Sequence, residues 1–314
     1  MPGVFTEEFL IAVLAAAVRM GAPILFAAFG EIFAERSGVI NLGVEGMMIM
    51  GTLAGFIGAY FTGNLWVGVL LGMIAGGLMS LIHAFLSITL RANQVISGIV
   101  LTFFGLGLTG FIGKSMIGQT VPSFGPIHIP VLGDIPVVGP VFFQQNILVY
   151  LAFILVPLTW VILFRTRLGL EIRAVGENPM AADSLGVDVY RIRYLCVFIG
   201  GILAGLGGAF LSLAYTHMWI EGMTAGRGWI AIAVVIFSMW RPQWALIGAF
   251  LFGGVDAFQL RLQAIGIGIP YHILMMMPYV VTIIVLVIVS TGARRKKIGA
   301  PASLGVPYIR GEKG

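Results

Sequence analysis

Nine apolar runs set the terms on which this chain can fold. They lie at residues 8–29, 42–62, 64–90, 94–113, 146–164, 194–216, 228–240, 243–260 and 270–291. Most come close to or exceed the roughly 20 residues that a helix needs to cross a hydrocarbon core, whereas 228–240 is too short for a full straight crossing. With 59% hydrophobic and 10% charged residues and a mean hydropathy of +1.03, the chain cannot be a soluble globule, in which about a quarter of residues are charged. Its 44 glycines suit helices that pack closely through small residues. The expected fold class is all-α, a polytopic membrane protein of about 8–10 transmembrane helices, with residues 1–314 forming a single transmembrane domain.

Charge is concentrated between the runs. Leu163–Arg193 holds nine of the 31 charged residues, five of them arginines, and short arginine-rich loops stay on the cytoplasmic side. Placing that loop inside puts 14 basic residues in and three out, the three being Lys114, Arg227 and Arg261; Arg19 lies within a run. The C-terminus is then cytoplasmic and the N-terminus outside. Met1–Glu8 lacks a basic residue, so no cleavable signal peptide is expected. The net charge of +5 follows from this topology and implies no nucleic acid partner. Cys196 is alone, which excludes an intramolecular disulfide and a cysteine metal cluster.

Residues 27–51 break the pattern. Glu31, Glu35, Arg36, Asn41 and Glu45 stand among glycines 30, 38, 43, 46 and 51. Irregular backbone at membrane depth survives only when buried in protein or lining a cavity, so the stretch reads as a broken helix turned to the protein interior. A cytoplasmic loop leading into a capped helix is the other reading of Glu31–Arg36. Asn41, Gly43 and Glu45 are the expected substrate path, while Arg19 and Asp256 are expected to pair within the bundle. Lys114–Asn146, with five prolines, should form an extended outer loop over about 114–145.

Two weak regularities join the halves. Glu45-Gly46, then Trp66, Gly72 and Gly76-Gly77, is echoed 180 residues on by Ala225-Gly226, then Trp244, Gly248 and Gly253-Gly254. Under the topology above the two copies are inverted, as in transporters whose substrate site lies at the repeat interface. The small-residue pairs Gly51/Gly55, Gly72/Gly76 and Gly201/Gly205 read as helix contacts.

No catalytic motif survives inspection. Gly113-Lys114-Ser115 lacks the first glycine of a phosphate loop, and the Gly105–Gly110 glycines lie in an apolar run with no preceding strand. The four histidines show no metal-ligand spacing. Within 165–193, however, Glu177–Gly186 has the signals of a short helix. Asn178 can cap it, Pro179 suits its first turn, Ala181 and Ala182 allow close approach, and Gly186 stops it.

Glu35-Arg36-Ser-Gly-Val-Ile-Asn41-Leu-Gly-Val-Glu45-Gly46-Met-Met resembles the signature of permease subunits of ATP-binding-cassette importers for nucleosides and simple sugars, a branch of the ribose and branched-chain amino-acid permeases. The stretch Arg173–Val187 is similar to the family's coupling loop, although Met180 stands where many importers have Glu. The resemblance implies that Glu177, Asn178, Pro179, Ala181, Ala182 and Gly186 contact an ATPase. It also implies a multi-pass protein of the cytoplasmic membrane, with no cofactor of its own and ATP used by the partner subunit. A second permease, identical or homologous, and an extracytoplasmic substrate-binding protein would complete the assembly. The implied function is nucleoside passage, with a simple sugar, a branched-chain amino acid or a secondary transporter as alternatives.

Overall fold

The computed structural model describes residues 6–266, 268, 270–291 and 299–311; the basic cluster at 294–297 lies outside them. The elements are α1 (Glu7–Arg36), α2 (Val44–Thr62), α3 (Leu65–Ala84), α4 (Gln94–Gly113), α5 (Ile147–Arg165), α6 (Arg167–Glu177), α7 (Pro179–Ser184), α8 (Val189–Phe210), α9 (Arg227–Phe237), α10 (Pro242–Ala264) and α11 (Tyr271–Thr291). Among the described residues, β pairing is confined to two isolated bridges, Thr120–Met218 and Pro126–Asn146. Among the described residues, seven helices are long and apolar enough to span a membrane, with α3, α4 and α8 prolonged to Thr89, Met116 and Tyr215; α9 is a half-length helix. The protein is a multi-pass membrane protein.

Glycine faces let the core close. A Cβ on Gly51 would stand 2.4 Å from Gly205 O, and one on Gly76 would stand 2.3 Å from Gly201 O. The pairs expected from sequence therefore form one seam between α2, α3 and α8, where backbones approach at a distance only glycine permits. Contacts along the helices fix their directions. Gly30 meets Gly200 and Pro23 meets Gly207, so α1 runs against α8; Gly21 meets Ala249 and Ala17 meets Gly253, so it also runs against α10.

Two expectations are corrected. The first run, read as ending at residue 29, continues as helix: α1 runs 30 residues past Pro23 and Gly30 to Arg36, and the break expected within 27–51 falls at Ser37–Gly43. Glu31 and Glu35 each find a buried partner, which removes the reason to interrupt the helix at those positions. Arg227 was counted as an outer loop residue. It opens α9 inside the bundle instead, with its side chain only 14% exposed.

Residues 299–311 fold back over the end of the bundle that carries α6 and α7. Ser303 N donates to Gly176 O at 2.9 Å and Gly305 N to Gly38 O at 3.0 Å. Arg193 Nη1 donates to Val306 O at 3.1 Å, and Arg310 pairs with Asp183 at 3.2 Å.

Candidate functional site: the mid-bundle crossover and the α7 face

The segment Ser37–Gly43 is buried yet has no helical ladder, so its backbone groups need other partners. Ser37 O accepts from Arg193 Nε at 3.2 Å, and Gly38 O from Gly305 N at 3.0 Å. Gln94 Oε1 takes Ile40 N at 2.8 Å. His83 Nε2 donates to Ile40 O at 2.9 Å, because a carbonyl only accepts; its Nδ1 then accepts from Ser97 Oγ at 3.0 Å. Thr102 Oγ1 donates to Leu42 O at 3.1 Å, and Gly43 N to Asn41 Oδ1 at 3.2 Å. Side chains from α3, α4 and α8 thus replace the missing ladder.

The two acidic residues near the end of α1 are also partnered. Asn41 Nδ2 donates to Glu31 Oε1 at 2.7 Å. Trp240 Nε1 donates to Glu35 Oε2 at 2.5 Å, while Arg36 holds Trp240 O at 3.3 Å. The far end of α9 is therefore tied to the end of α1.

The near end of α9 is tied to the start of α2. Glu45 Oε1 accepts from Gly226 N at 2.8 Å and Oε2 from Gly228 N at 2.6 Å. Gly226 provides no side-chain cap and sits at φ +79°, so the carboxylate of another helix satisfies the first donors of α9. Because α9 runs with α1 and α2 runs against it, the two helices start at one level and leave in opposite directions. Glu45-Gly46 and Ala225-Gly226, the paired positions of the repeat, meet there. The positions matched between the two halves in sequence are thus in contact, on helices that leave in opposite directions.

All three expected path residues, Asn41, Gly43 and Glu45, are buried, and their polar atoms are bound by the protein itself. On the α7 face, Asn178 Oδ1 accepts from Ala181 N at 3.0 Å, Pro179 fills the first turn, and Gly186 turns the chain at φ +87° with open space around it. Ala181 is exposed but Ala182 is buried. Outward display falls to Leu185, not singled out from sequence, at 85% exposure, and to Met180 at 39%. Glu177 Oε2 instead accepts from Ala302 N at 3.4 Å. Among the described residues no His, Cys, Asp and Glu cluster could hold a metal.

Asn41 and Glu45 stood out in sequence as polar residues in an apolar run. His83, Gln94, Arg193 and Trp240 did not, since each looks ordinary alone; only the contact with 37–43 or Glu35 gives it a task.

A membrane bundle with a head-to-head half-helix crossing and an amphipathic loop at one end is the layout of a transport subunit. The chain matches the family described as branched-chain amino acid transport system / permease component over residues 13–289. It belongs to that family and is a permease subunit of an ATP-binding-cassette importer.

Three relatives narrow the comparison. TsgC13 of Haloferax volcanii, provisionally named a glucose ABC transporter permease, is 47% identical, covering 83% of this chain and 81% of its own. NupQ of Bacillus subtilis, a guanosine ABC transporter permease, is 39% identical over 98% of this chain and 99% of its own. NupP of the same organism, also a guanosine permease, is 27% identical over 95% and 86%. A solved structure, an inward-facing ABC transporter provisionally classed as metal-chelate type, superposes with TM-score 0.51 at 16% identity over 88% of this chain and 85% of that one. That likeness concerns the fold alone.

Proposed function

We propose that this subunit forms the path for nucleosides through the cytoplasmic membrane, in an importer driven by a separate ATPase and fed by an extracytoplasmic binding protein. The end-to-end likeness to a guanosine permease carries the reading. Passage of a simple sugar is the second reading, favoured by the glucose-named relative. Two guanosine permeases of one organism resemble this chain to different degrees, which supports a homologous rather than identical second permease.

The charge pattern supports a cytoplasmic α7 face, with Glu177, Asn178, Pro179, Ala181, Ala182 and Gly186 shaping the ATPase contact. ATP binding in that partner would favour one of two access states of the path. Asn41 and Gly43 serve the path by shaping the segment that leads into α2, and Glu45 by holding the α2–α9 crossing, where a half-helix start adjoins polar groups. ATP is the partner's; this chain holds no cofactor.

The test is uptake by the purified complex in proteoliposomes, with guanosine, glucose and leucine competing. ATP-dependent guanosine import that excess glucose leaves unchanged supports the first reading. Import of glucose alone selects the second, and leucine import overturns both.

A further inference from the structure

The start of α9 carries more polarity than helix capping needs. Arg227 Nη2 lies 3.3 Å from Asp256 Oδ2, with the side chains 14% and 8% exposed. Arg227 Nη1 also donates to Met223 O and Thr224 O at 3.2 and 3.3 Å. Burying such a pair seldom stabilises a fold more than apolar packing would, and ionisable residues inside membrane spans mark solute pathways by default. One turn on from Asp256, Gln259 Nε2 makes only a long 3.5 Å contact to its carboxylate, and Gln259 Oε1 is buried without a hydrogen-bond partner. Thr224 Oγ1 is in the same condition.

Arg227, Asp256 and Gln259 border a cavity of about 250 Å³ between α9, α10 and α11. Arg227, Asp256, Gln259 and Tyr279 give it a polar wall, and Ile230 and Met275 an apolar one. Tyr279 Oη donates to Ala225 O at 3.1 Å, which orients its ring. The volume sits just below the ~300–1,000 Å³ of drug-sized sites.

We infer that this cavity is a station on the transport path for an uncharged, hydroxyl-rich ring compound; the assignment rests on the function proposed above. The Arg227–Asp256 pair is neutral overall, so it does not select a charged solute. It nevertheless offers donors and an acceptor side by side, the pattern that neighbouring ring hydroxyls satisfy. Gln259 Oε1 accepts one further hydroxyl or amine, and the Tyr279 ring supplies a flat face against which a base or pyranose lies. Such a site rejects branched aliphatic solutes, which would leave its polar atoms unpaired.

The experiment uses the assembled transporter in proteoliposomes, with guanosine and glucose as separate solutes. Gln259→Leu removes the acceptor at similar volume and should raise KM for the imported solute about tenfold, the equivalent of one hydrogen bond, with Gln259→Asn intermediate. A second measurement does not depend on that variant folding. Cys196 is buried, so Met275→Cys gives one accessible thiol in the cavity, and saturating solute should slow its modification by a methanethiosulfonate reagent. The inference is overturned if the wild-type complex imports a solute while Gln259→Leu keeps the parental KM, or if that solute leaves the thiol's reactivity unchanged. A wild-type complex that imports neither solute removes the proposed function, and this assignment with it.

Discussion

Glu45 Oε2 accepts a hydrogen bond from Gly228 N at 2.6 Å, across 183 residues of chain. The carboxylate lies in the first turn of α2 and at the first turn of α9 together, so it meets the positive ends of two helix dipoles. A Cβ at Gly228 would stand 2.6 Å from Glu45 Cα, so the glycine is what lets the two starts touch. The same contact joins the two copies of the repeat.

Glu45→Ala leaves the N–H groups of Gly226 and Gly228 without an acceptor. At about 1–3 kcal/mol for each of the two unpaired groups, the expected loss is roughly 2–6 kcal/mol, and Glu45→Gln should lose less because its carbonyl still accepts. Thermal unfolding of the detergent-solubilised complex measures this. An unchanged midpoint for Glu45→Ala would show that the crossing does not depend on the carboxylate.

The returning tail makes a second prediction. Arg193 holds Ser37 O and Val306 O together, and Ser303 Oγ reaches Gly176 O at 2.7 Å. Arg193→Leu unpairs the buried carbonyl of Ser37 and the carbonyl of the exposed Val306, and so frees 303–308. Limited proteolysis should then cut within 299–311 at least several-fold faster than in the parent, with α8 still inserted. Equal cleavage rates would mean that the tail is held elsewhere.

The sequence made the membrane plan legible because length and hydropathy bear directly on a solvent 30 Å thick. It also made α7 legible, since caps and stops act between near neighbours: Asn178, Pro179 and Gly186 do locally what their residue types suggest. It ended the first run too early, at residue 29, because the partners that keep the helix intact, Asn41 for Glu31 and Trp240 for Glu35, lie beyond the helix, in the second case 205 residues away. Arg227 was misread for a related reason. A basic residue before a short apolar run looks like a loop unless the run is a half-helix starting inside the bundle and Asp256 is there to meet it. Ala182 shows the limit of residue type even at close range, for adjacent alanines face opposite ways on six residues of helix.

Orientation is tested by exposed positions at opposite ends. Gln119 and Ser184 are both exposed, and the charge balance puts α7 inside. In sealed cells an impermeant maleimide should label Gln119→Cys at once and Ser184→Cys only after permeabilisation. The reverse pattern would invert the topology and remove the ATPase from the α7 face.

The last prediction concerns how the ATPase is held. Leu185 is 85% exposed at the end of α7, next to Gly186, whose surroundings are open. Ala182 on the opposite side is packed into the bundle. A substitution at Leu185 therefore tests docking without touching the fold, whereas Ala182→Arg tests both. Leu185→Asp should insert and unfold like the parent, because Leu185 caps α7 through its backbone N–H alone and exposed side-chain changes stay within about 0.5 kcal/mol. It should lose the ATPase on co-purification, or retain it with ATP hydrolysis no longer linked to uptake, since an apolar anchor near the middle of an interface contributes about 2 kcal/mol or more. Leu185→Met should keep both. If Leu185→Asp retains the ATPase and imports solute at the parental rate, the docking surface is not centred on α7.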